Sequence, residues 1–231
     1  MWVFFIIIVV LFVAICIHNG VSIDFKSFFR RGFKKIDNDF GLYCYTGKQG
    51  KGKTYTCVNF LNNYMQSKKS CTLLTNVKSY NNFSNRVEYY ANINELFERA
   101  IQLVNDKHQI IIFFDEIFTV LEKNTNISKE VRSFISQLRK RKIILITTAQ
   151  EWGEINLTFR RYCRFQIDCN MFPIPLLKTA FIIYKVNDGD LIKWDNDLQD
   201  WVAPTIKTYF GKCKISVINS YDTFETISTN K

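Results

Sequence analysis

A glycine-rich loop, placed between an apolar segment and a helical pattern, restricts the fold of this chain more than any other feature. Residues 47–54 read GKQGKGKT and match the pattern GxxxxGK followed by Ser or Thr at every fixed position. Residues 39–46 form a short apolar segment typical of a strand, and residues 55–65 have apolar side chains at helical spacing. A strand, a glycine loop and a helix in this order predict an α/β fold with a mostly parallel sheet.

The residue types in the loop indicate its chemistry. Glycine lets backbone N–H groups turn toward phosphate oxygens, and the start of the following helix adds the positive end of its dipole. We expect Lys53 to reach the β- and γ-phosphates of ATP and the hydroxyl of Thr54 to bind Mg²⁺. The sequence therefore predicts a P-loop NTPase, with these nucleotide-binding residues: Gly47, Lys48, Gln49, Gly50, Lys51, Gly52, Lys53, Thr54 and Tyr55.

Two consecutive carboxylates follow another apolar run. Residues 108–114 read HQIIIFF, as expected of a strand covered on both faces, and Asp115 and Glu116 come directly after them. Open α/β sheets bind their ligands at the carboxyl ends of the strands. We expect Asp115 to hold Mg²⁺ through water and Glu116 to act in catalysis by polarising the water that attacks ATP.

A further apolar segment, residues 143–148, leads to Gln150. A polar residue at the tip of the strand beside the acidic one can contact the γ-phosphate or the attacking water, so Gln150 is a candidate catalytic residue. The alternative is an ordinary turn or helix-cap glutamine.

The helix predicted at residues 130–142 ends in the cations RKRK. Cations stabilise the C-terminal end of a helix, which is the simpler interpretation of this cluster. The alternatives are a surface that faces DNA, or arginines that complete the ATP site of a neighbouring subunit, with Arg139 and Arg141 as candidate catalytic residues. Arg160 and Arg161 are equivalent candidates.

The first residues have the composition of a membrane helix. Residues 2–17 contain no charge and no helix breaker, and at about 1.5 Å per residue they reach roughly 25 Å, slightly less than the ~30 Å hydrocarbon core. A cleaved signal peptide or a buried core element fits less well, because no Lys or Arg precedes this uniformly apolar run and no small-x-small site follows it. The positive-inside rule places the bulk of the chain in the cytoplasm, because these cations follow the run: Lys26, Arg30, Arg31, Lys34 and Lys35.

Charge leaves the partner open. Basic residues outnumber acidic ones by 31 to 21, which gives a net charge of +10 and favours anionic lipid, DNA or nucleotide without choosing among them. Phenylalanines alternate with the cations after the apolar run, so this stretch is either a helix lying on anionic headgroups or a solvated linker.

With these features placed, the chain resembles the Zot-type (zonula occludens toxin-like) assembly ATPases of filamentous bacteriophages, which are similar to the FtsK/HerA motor ATPases. The resemblance extends over roughly residues 40–223. It depends on segments that occur in the expected order: YTGKQGKGKTY at residues 45–55, TLLTNV at 72–77, IIFFDE at 111–116, LRKRKIILITTAQ at 138–150 and YDT at 221–223.

The resemblance implies a single-pass ATPase of the host inner membrane, with its ATPase domain cytoplasmic, that drives phage assembly and extrusion. Its partners would be the host membrane, phage coat protein and/or single-stranded DNA, and it would form a homo-oligomeric ring. A membrane-bound DNA-packaging or conjugation-type translocase is the alternative. A nucleotide kinase fits less well, because Glu116 beside Asp115 and the membrane anchor both argue against it.

We divide the chain into four parts: a transmembrane anchor (1–18), a basic and aromatic juxtamembrane linker (19–37), a P-loop ATPase core (38–170) and a small β-rich carboxy-terminal extension (171–231). Within the extension, residues 181–194 predict a hairpin with the turn NDGD. Residues 205–210 and 215–218 predict further strands.

Overall fold

An eight-stranded mixed sheet organises the chain in the computed structural model. The structure describes residues 2–18, 26–27, 40–104, 108–117, 127–174 and 179–222. The strands are β1 (Gly41–Thr46), β2 (Cys71–Thr75), β3 (Val87–Tyr89), β4 (Gln109–Phe114), β5 (Ile143–Ala149), β6 (Cys163–Ile174), β7 (Thr179–Asp188), β8 (Lys193–Asp195), β9 (Asp200–Val202) and β10 (Thr205–Lys212). The described helices are α1 (Trp2–His18), α2 (Lys53–Ser67), α3 (Ile93–Leu103), α4 (Lys129–Ser136), α5 (Leu138–Arg141), α6 (Leu157–Tyr162) and α7 (Ile215–Ile218).

The strand order is β3-β2-β4-β5-β1-β6-β7-β10. The first six strands in this order, from β3 to β6, pair parallel with one another. Strand β7 pairs antiparallel with both β6 and β10. The mostly parallel α/β sheet that the sequence predicts is therefore confirmed. Strands β8 and β9 form a separate two-stranded ribbon.

Helices cover both faces of the sheet, and the alternation of side chains along β1 shows how. Leu42 and Cys44 point into one core, which also contains the buried side chains of α3 and α4, and Phe97 stacks on Phe134 there with ring centroids 4.0 Å apart. Tyr43 and Tyr45 point into the other core, which contains the buried face of α2. Because successive residues of a strand face opposite sides, the buried β1 has apolar side chains on both faces from Leu42 to Tyr45.

Three predictions of local secondary structure are wrong, two near the C-terminus and one before β5. Residues 181–194 do not form a hairpin, because β7 pairs with β6 and β10 while β8 pairs with β9. Residues 215–218 form the helix α7 instead of a strand. The single helix predicted at 130–142 is two helices, α4 and α5, with Gln137 between them.

The strand predicted at residues 205–210 is present as β10. The boundary proposed between residues 170 and 171 falls inside β6, and β7 and β10 continue the same sheet. The division of the chain into four parts stays a prediction.

The apolar N-terminal segment is helical from Trp2 to His18, a length of 17 residues. None of the helices within the described residues is both long and apolar enough to cross a membrane. The transmembrane anchor that the sequence predicts is therefore not supported by the structure. Most of the juxtamembrane linker lies outside the described residues; within it, Ser27 is buried and shares a hydrogen bond of 2.5 Å with Thr208 of β10.

Candidate nucleotide-binding site

The sheet order brings the glycine loop, the Asp115–Glu116 pair and Gln150 to one edge. Strand β5 lies between β1, which leads into the glycine loop, and β4, which leads into Asp115 and Glu116. All three strands are parallel, so their carboxyl ends lie side by side. The backbone N–H of Gly47 donates a hydrogen bond of 3.1 Å to the carbonyl of Gln150, which joins the loop to the end of β5.

Two glycines of the loop have a positive φ and lie close to β6. Gly47 has φ +144°, and a Cβ atom there would lie 2.6 Å from the carbonyl oxygen of Cys169. Gly52 has φ +83°, and its Cβ atom would lie 2.8 Å from the Cε of Met171. Because β6 runs directly against the loop, a side chain at position 47 would clash with backbone, whereas one at position 52 would be strained by its positive φ and would require the flexible end of Met171 to move.

The loop folds around its own backbone before α2 begins at Lys53. The N–H of Lys51 donates to the carbonyl of Lys48 over 3.1 Å, and the Nζ of Lys53 donates to the same carbonyl over 3.4 Å. Thr56, one turn into the helix, donates its hydroxyl to the carbonyl of Gly52 over 2.7 Å. These bonds place the Lys53 ammonium beside the loop, where it can neutralise phosphate charge.

Asp115 is buried at the end of β4 and faces the start of α2. The hydroxyl of Thr54 donates to its carboxylate over 3.2 Å, and the hydroxyl of Thr148 at the end of β5 makes a short hydrogen bond to it. Burial raises the pKa of Asp115 above its usual value, and the hydrogen bond from Thr148 opposes that rise. A divalent cation beside this carboxylate would reverse the effect of burial and keep it charged.

Asn76, which the analysis of motifs did not assign a role, holds Asp115 in place. Its side-chain oxygen accepts from the backbone N–H of Asp115 over 2.8 Å, and its side-chain nitrogen donates to the carbonyl of Asp115 over 3.1 Å. Asn76 is 2% exposed, so both bonds are shielded from water. A polar residue directly after β2, the strand next to β4, is the signal that could have identified it.

Glu116 has a left-handed backbone, with φ +55°. Its N–H donates to the hydroxyl of Thr148 over 2.8 Å, which stabilises this unusual conformation for a non-glycine residue. The turn directs the chain away from β4 just after Asp115, and Glu116 lines the same cavity as Lys53 and Thr54.

A cavity of about 250 Å³ opens between the loop and the two acidic residues. Four of its lining residues were not among the predicted site residues: Val77, Met171, Tyr221 and Asp222. A larger depression of about 360 Å³ lies on the same face of the sheet, but it contains neither a residue of the glycine loop nor Asp115 or Glu116, so we assign nucleotide binding to the smaller one. The full lining of the smaller cavity is Gln49, Gly50, Gly52, Lys53, Thr54, Tyr55, Val77, Asp115, Glu116, Met171, Tyr221 and Asp222.

Gln150 follows β5 directly and is exposed. Its backbone contacts the loop through the Gly47 hydrogen bond, and it lies between the loop and the Asp115–Glu116 turn in the strand order. The position fits the catalytic role expected of it, which stays a prediction.

The four candidate arginines lie at the opposite edge of the sheet, because they precede the parallel strands β5 and β6. Arg139 lies over the ring of Phe40, and Arg141 bonds to Gln137 one turn earlier in the chain. Arg160 is buried and forms an ion pair with Asp200 at 2.8 Å. The four are therefore not equivalent: the Arg160 guanidinium is held by its own chain, whereas Arg139 and Arg161 are exposed.

Comparison with known families agrees with this geometry. The family profile of ATPases associated with various cellular activities (AAA) matches residues 43–172, which is more than half of the chain. The chain belongs to the AAA family of ATPases. A search of curated protein sequences found no match.

Solved structures share the fold of this AAA-family ATPase at low sequence identity. The N-terminal domain of zonular occludens toxin from Neisseria meningitidis has a TM-score of 0.51 and 15% identity, over 79% of this chain and 98% of that one. The genome packaging NTPase B204 from Sulfolobus turreted icosahedral virus 2, in complex with sulfate, has a TM-score of 0.50 and 10% identity, over 72% of this chain and 96% of that one. A second structure, of the DNA-packaging ATPase B204 from Sulfolobus turreted icosahedral virus, also has a TM-score of 0.50, with 12% identity over 72% of this chain and 97% of that one. These similarities extend the fold assignment beyond residue 172.

The family and the site together make this protein an ATP hydrolase. Thr54 and Asp115 present two oxygen atoms 3.2 Å apart at the mouth of the loop, and oxygen atoms are the ligands that Mg²⁺ prefers. These residues fit a Mg²⁺ ion, which Thr54 and Asp115 would hold and which would neutralise charge on the phosphates of ATP. Glu116 lies on the same cavity wall, and the role in activating the attacking water that the sequence predicts for it stays a prediction.

Proposed function

We propose that this AAA-family ATPase is a membrane-anchored motor that drives the assembly and extrusion of a filamentous phage through the host's cytoplasmic membrane. Its cargo is single-stranded DNA, coat protein or both. The observation that carries the proposal is the similarity in fold to the zonular occludens toxin domain, of which 98% is covered, together with the apolar helix α1.

Membrane attachment is supported by the surface of α1. Trp2, Val10 and Ile17 are between 60% and 78% exposed. A helix with large apolar side chains on its surface is unfavourable in water and stable in lipid. The cations that follow it favour a single pass with the ATPase domain in the cytoplasm.

A ring of identical subunits is supported by the place of the arginines. Among the described residues that line the nucleotide cavity, none is an arginine. Arg139 and Arg141 lie at the far edge of their own sheet, where a neighbouring copy could receive them. Turnover per subunit should then rise steeply with protein concentration, and a constant rate in a protein that stays monomeric would exclude a shared site.

The test of the motor function uses the full chain in lipid nanodiscs. Phosphate release from ATP is measured alone, with single-stranded DNA and with double-stranded DNA of equal length. We expect single-stranded DNA to raise turnover severalfold. Lys53→Ala should abolish turnover because the phosphates lose their main cation, and Glu116→Gln should retain ATP without hydrolysing it.

The outcomes separate the alternatives. Stimulation by double-stranded DNA alone would favour a packaging or conjugation-type translocase, whose fold is represented by B204. Transfer of the phosphoryl group to a nucleoside monophosphate in place of phosphate release would indicate a nucleotide kinase. Hydrolysis that neither DNA nor coat protein changes would contradict the motor.

The membrane topology is tested separately. Protease added outside intact cells, or outside spheroplasts where a wall is present, should leave the ATPase domain whole. Digestion of the domain under those conditions would reverse the orientation, and recovery of the full chain in the soluble fraction would contradict the anchor.

A further inference from the structure

The last described part of the chain returns to the nucleotide site. Residues 213–222, here called the C-terminal strap, leave β10, form α7 and end at Tyr221 and Asp222. Both of these residues line the 250 Å³ cavity together with Lys53, Thr54, Asp115 and Glu116.

Hydrogen bonds attach the strap to α2. The backbone N–H of Lys214 donates to the hydroxyl of Tyr55 over 2.8 Å, and the side chain of Asn62 donates to the hydroxyl of Ser220 over 3.4 Å. Tyr55 directly follows Thr54, so the first of these bonds is next to the expected Mg²⁺ ligand.

Further hydrogen bonds attach the strap to the loop after β2. The N–H of Asn81 donates to the carbonyl of Ser220 over 3.2 Å, and the N–H of Asp222 donates to the hydroxyl of Ser79 over 2.9 Å. The same loop begins with Asn76, which holds Asp115. Tyr221 is therefore positioned by the two elements that also position Thr54 and Asp115.

The surroundings of Tyr221 show which end of the nucleotide it faces. Its ring is 8% exposed, and it packs in the core that contains Tyr55 and Val77. Burial raises its pKa, and the nearby Cys57, Asp115 and Tyr55 raise it further. Since Mg²⁺ held by Thr54 and Asp115 would neutralise charge on the phosphates of ATP, a wall beside Asp115 faces the triphosphate end and not the base.

The hydroxyl of Tyr221 is a neutral donor with capacity for a ligand. Among the residues that the structure describes, none forms a hydrogen bond with this hydroxyl. A protonated phenol at a triphosphate can donate one hydrogen bond to a charged oxygen. We propose that Tyr221 contacts bound ATP, donating a hydrogen bond to its terminal phosphate and completing a wall that neither the glycine loop nor the Asp115–Glu116 turn supplies.

This role of Tyr221 is separate from phage extrusion and depends only on nucleotide binding at the site. Its test compares Tyr221→Phe with Tyr80→Phe in the full chain, by calorimetric titration with ATPγS and with ADP in the presence of Mg²⁺. Tyr80 is the matched control, because it is also buried and donates its hydroxyl to Asn62 of α2 over 2.7 Å, yet it does not line the cavity.

We expect Tyr221→Phe to weaken ATPγS binding about tenfold, as for the loss of one hydrogen bond to a charged group, and to change ADP binding less than twofold. Tyr80→Phe should leave both affinities unchanged, although it loses some thermal stability together with its hydrogen bond to Asn62. Equal weakening of ATPγS and ADP, or equal effects of the two variants, would overturn the proposal. Titration of the unmodified chain is the reference: if it binds neither nucleotide, the ATPase assignment fails, whereas normal binding with no effect of Tyr221→Phe refutes this inference only.

Discussion

Replacing Asn76 with alanine tests whether the acidic end of the site is held by a side chain from the neighbouring strand. The change removes both hydrogen bonds between Asn76 and the backbone of Asp115, and leaves the N–H and C=O of Asp115 buried without their present partners. Each buried backbone group without a partner costs about 1–3 kcal/mol. We expect the free energy of unfolding to fall by about 2–4 kcal/mol, and the affinity for Mg²⁺-ATPγS to fall because the Asp115 carboxylate is no longer fixed opposite Thr54.

The assays are urea unfolding followed by circular dichroism and titration with ATPγS in the presence of Mg²⁺. Asn92→Ala is the matched control. Asn92 caps α3 by accepting one hydrogen bond of 2.8 Å from the N–H of Asn94, and it does not line the nucleotide cavity. The control substitution should lower the free energy of unfolding by about 1 kcal/mol and leave the affinity for ATPγS unchanged. The reasoning is refuted if Asn76→Ala costs no more than Asn92→Ala and binds nucleotide normally.

Two further substitution pairs test the fold around the site and around the arginines. Gly47→Ala should lower the free energy of unfolding by about 2 kcal/mol or more, because the new Cβ atom meets a backbone oxygen at 2.6 Å. Gly50→Ala should lower it by only about 1 kcal/mol for the positive φ, because no atom lies within 4 Å of its Cβ. Equal losses on urea unfolding would contradict the close approach at Gly47. Asp200→Ala should destabilise the chain more than Arg160→Met, because the first leaves a buried guanidinium without its carboxylate while the second removes the buried charge itself. A larger loss for Arg160→Met, measured the same way, would show that the pair itself stabilises the fold.

The glycine loop and the Asp115–Glu116 turn could be predicted because both are local patterns next to apolar strands. The sheet confirms that β1, β4 and β5 are adjacent and parallel, which is what brings distant motifs to one edge. The strand predicted at residues 215–218 was wrong, because a short apolar run is too short for its periodicity to distinguish a helix from a strand. In α7, which forms there instead, only Val217 is buried.

The predicted hairpin was wrong for a different reason. The first two residues of NDGD are the end of β7, and the last two begin a short 3₁₀ helix (Gly189–Leu191). Strand β7 pairs with β6, where ten residue pairs from Phe165–Asp188 to Ile174–Thr179 are in register. A local turn pattern does not indicate which distant strand will pair with the residues before it, and here that strand is β6. Tyr221 was not predicted as a site residue for the same reason, since its place in the cavity depends on contacts with residues more than 100 positions earlier.

The polarity of the sheet bears on how the ATPase site is completed. The cavity lies at the carboxyl ends of β1 and β4, whereas Arg139 and Arg141 lie before the amino end of β5. Strand β5 has seven residues, and at about 3.3 Å per residue it separates the two edges by roughly 20 Å. This distance exceeds the reach of an arginine side chain, so neither residue can contact the phosphates bound by its own chain. If Arg139 or Arg141 acts on ATP, as the sequence predicts, it can do so only across a subunit boundary, so a test of that role has to be made on the assembled protein.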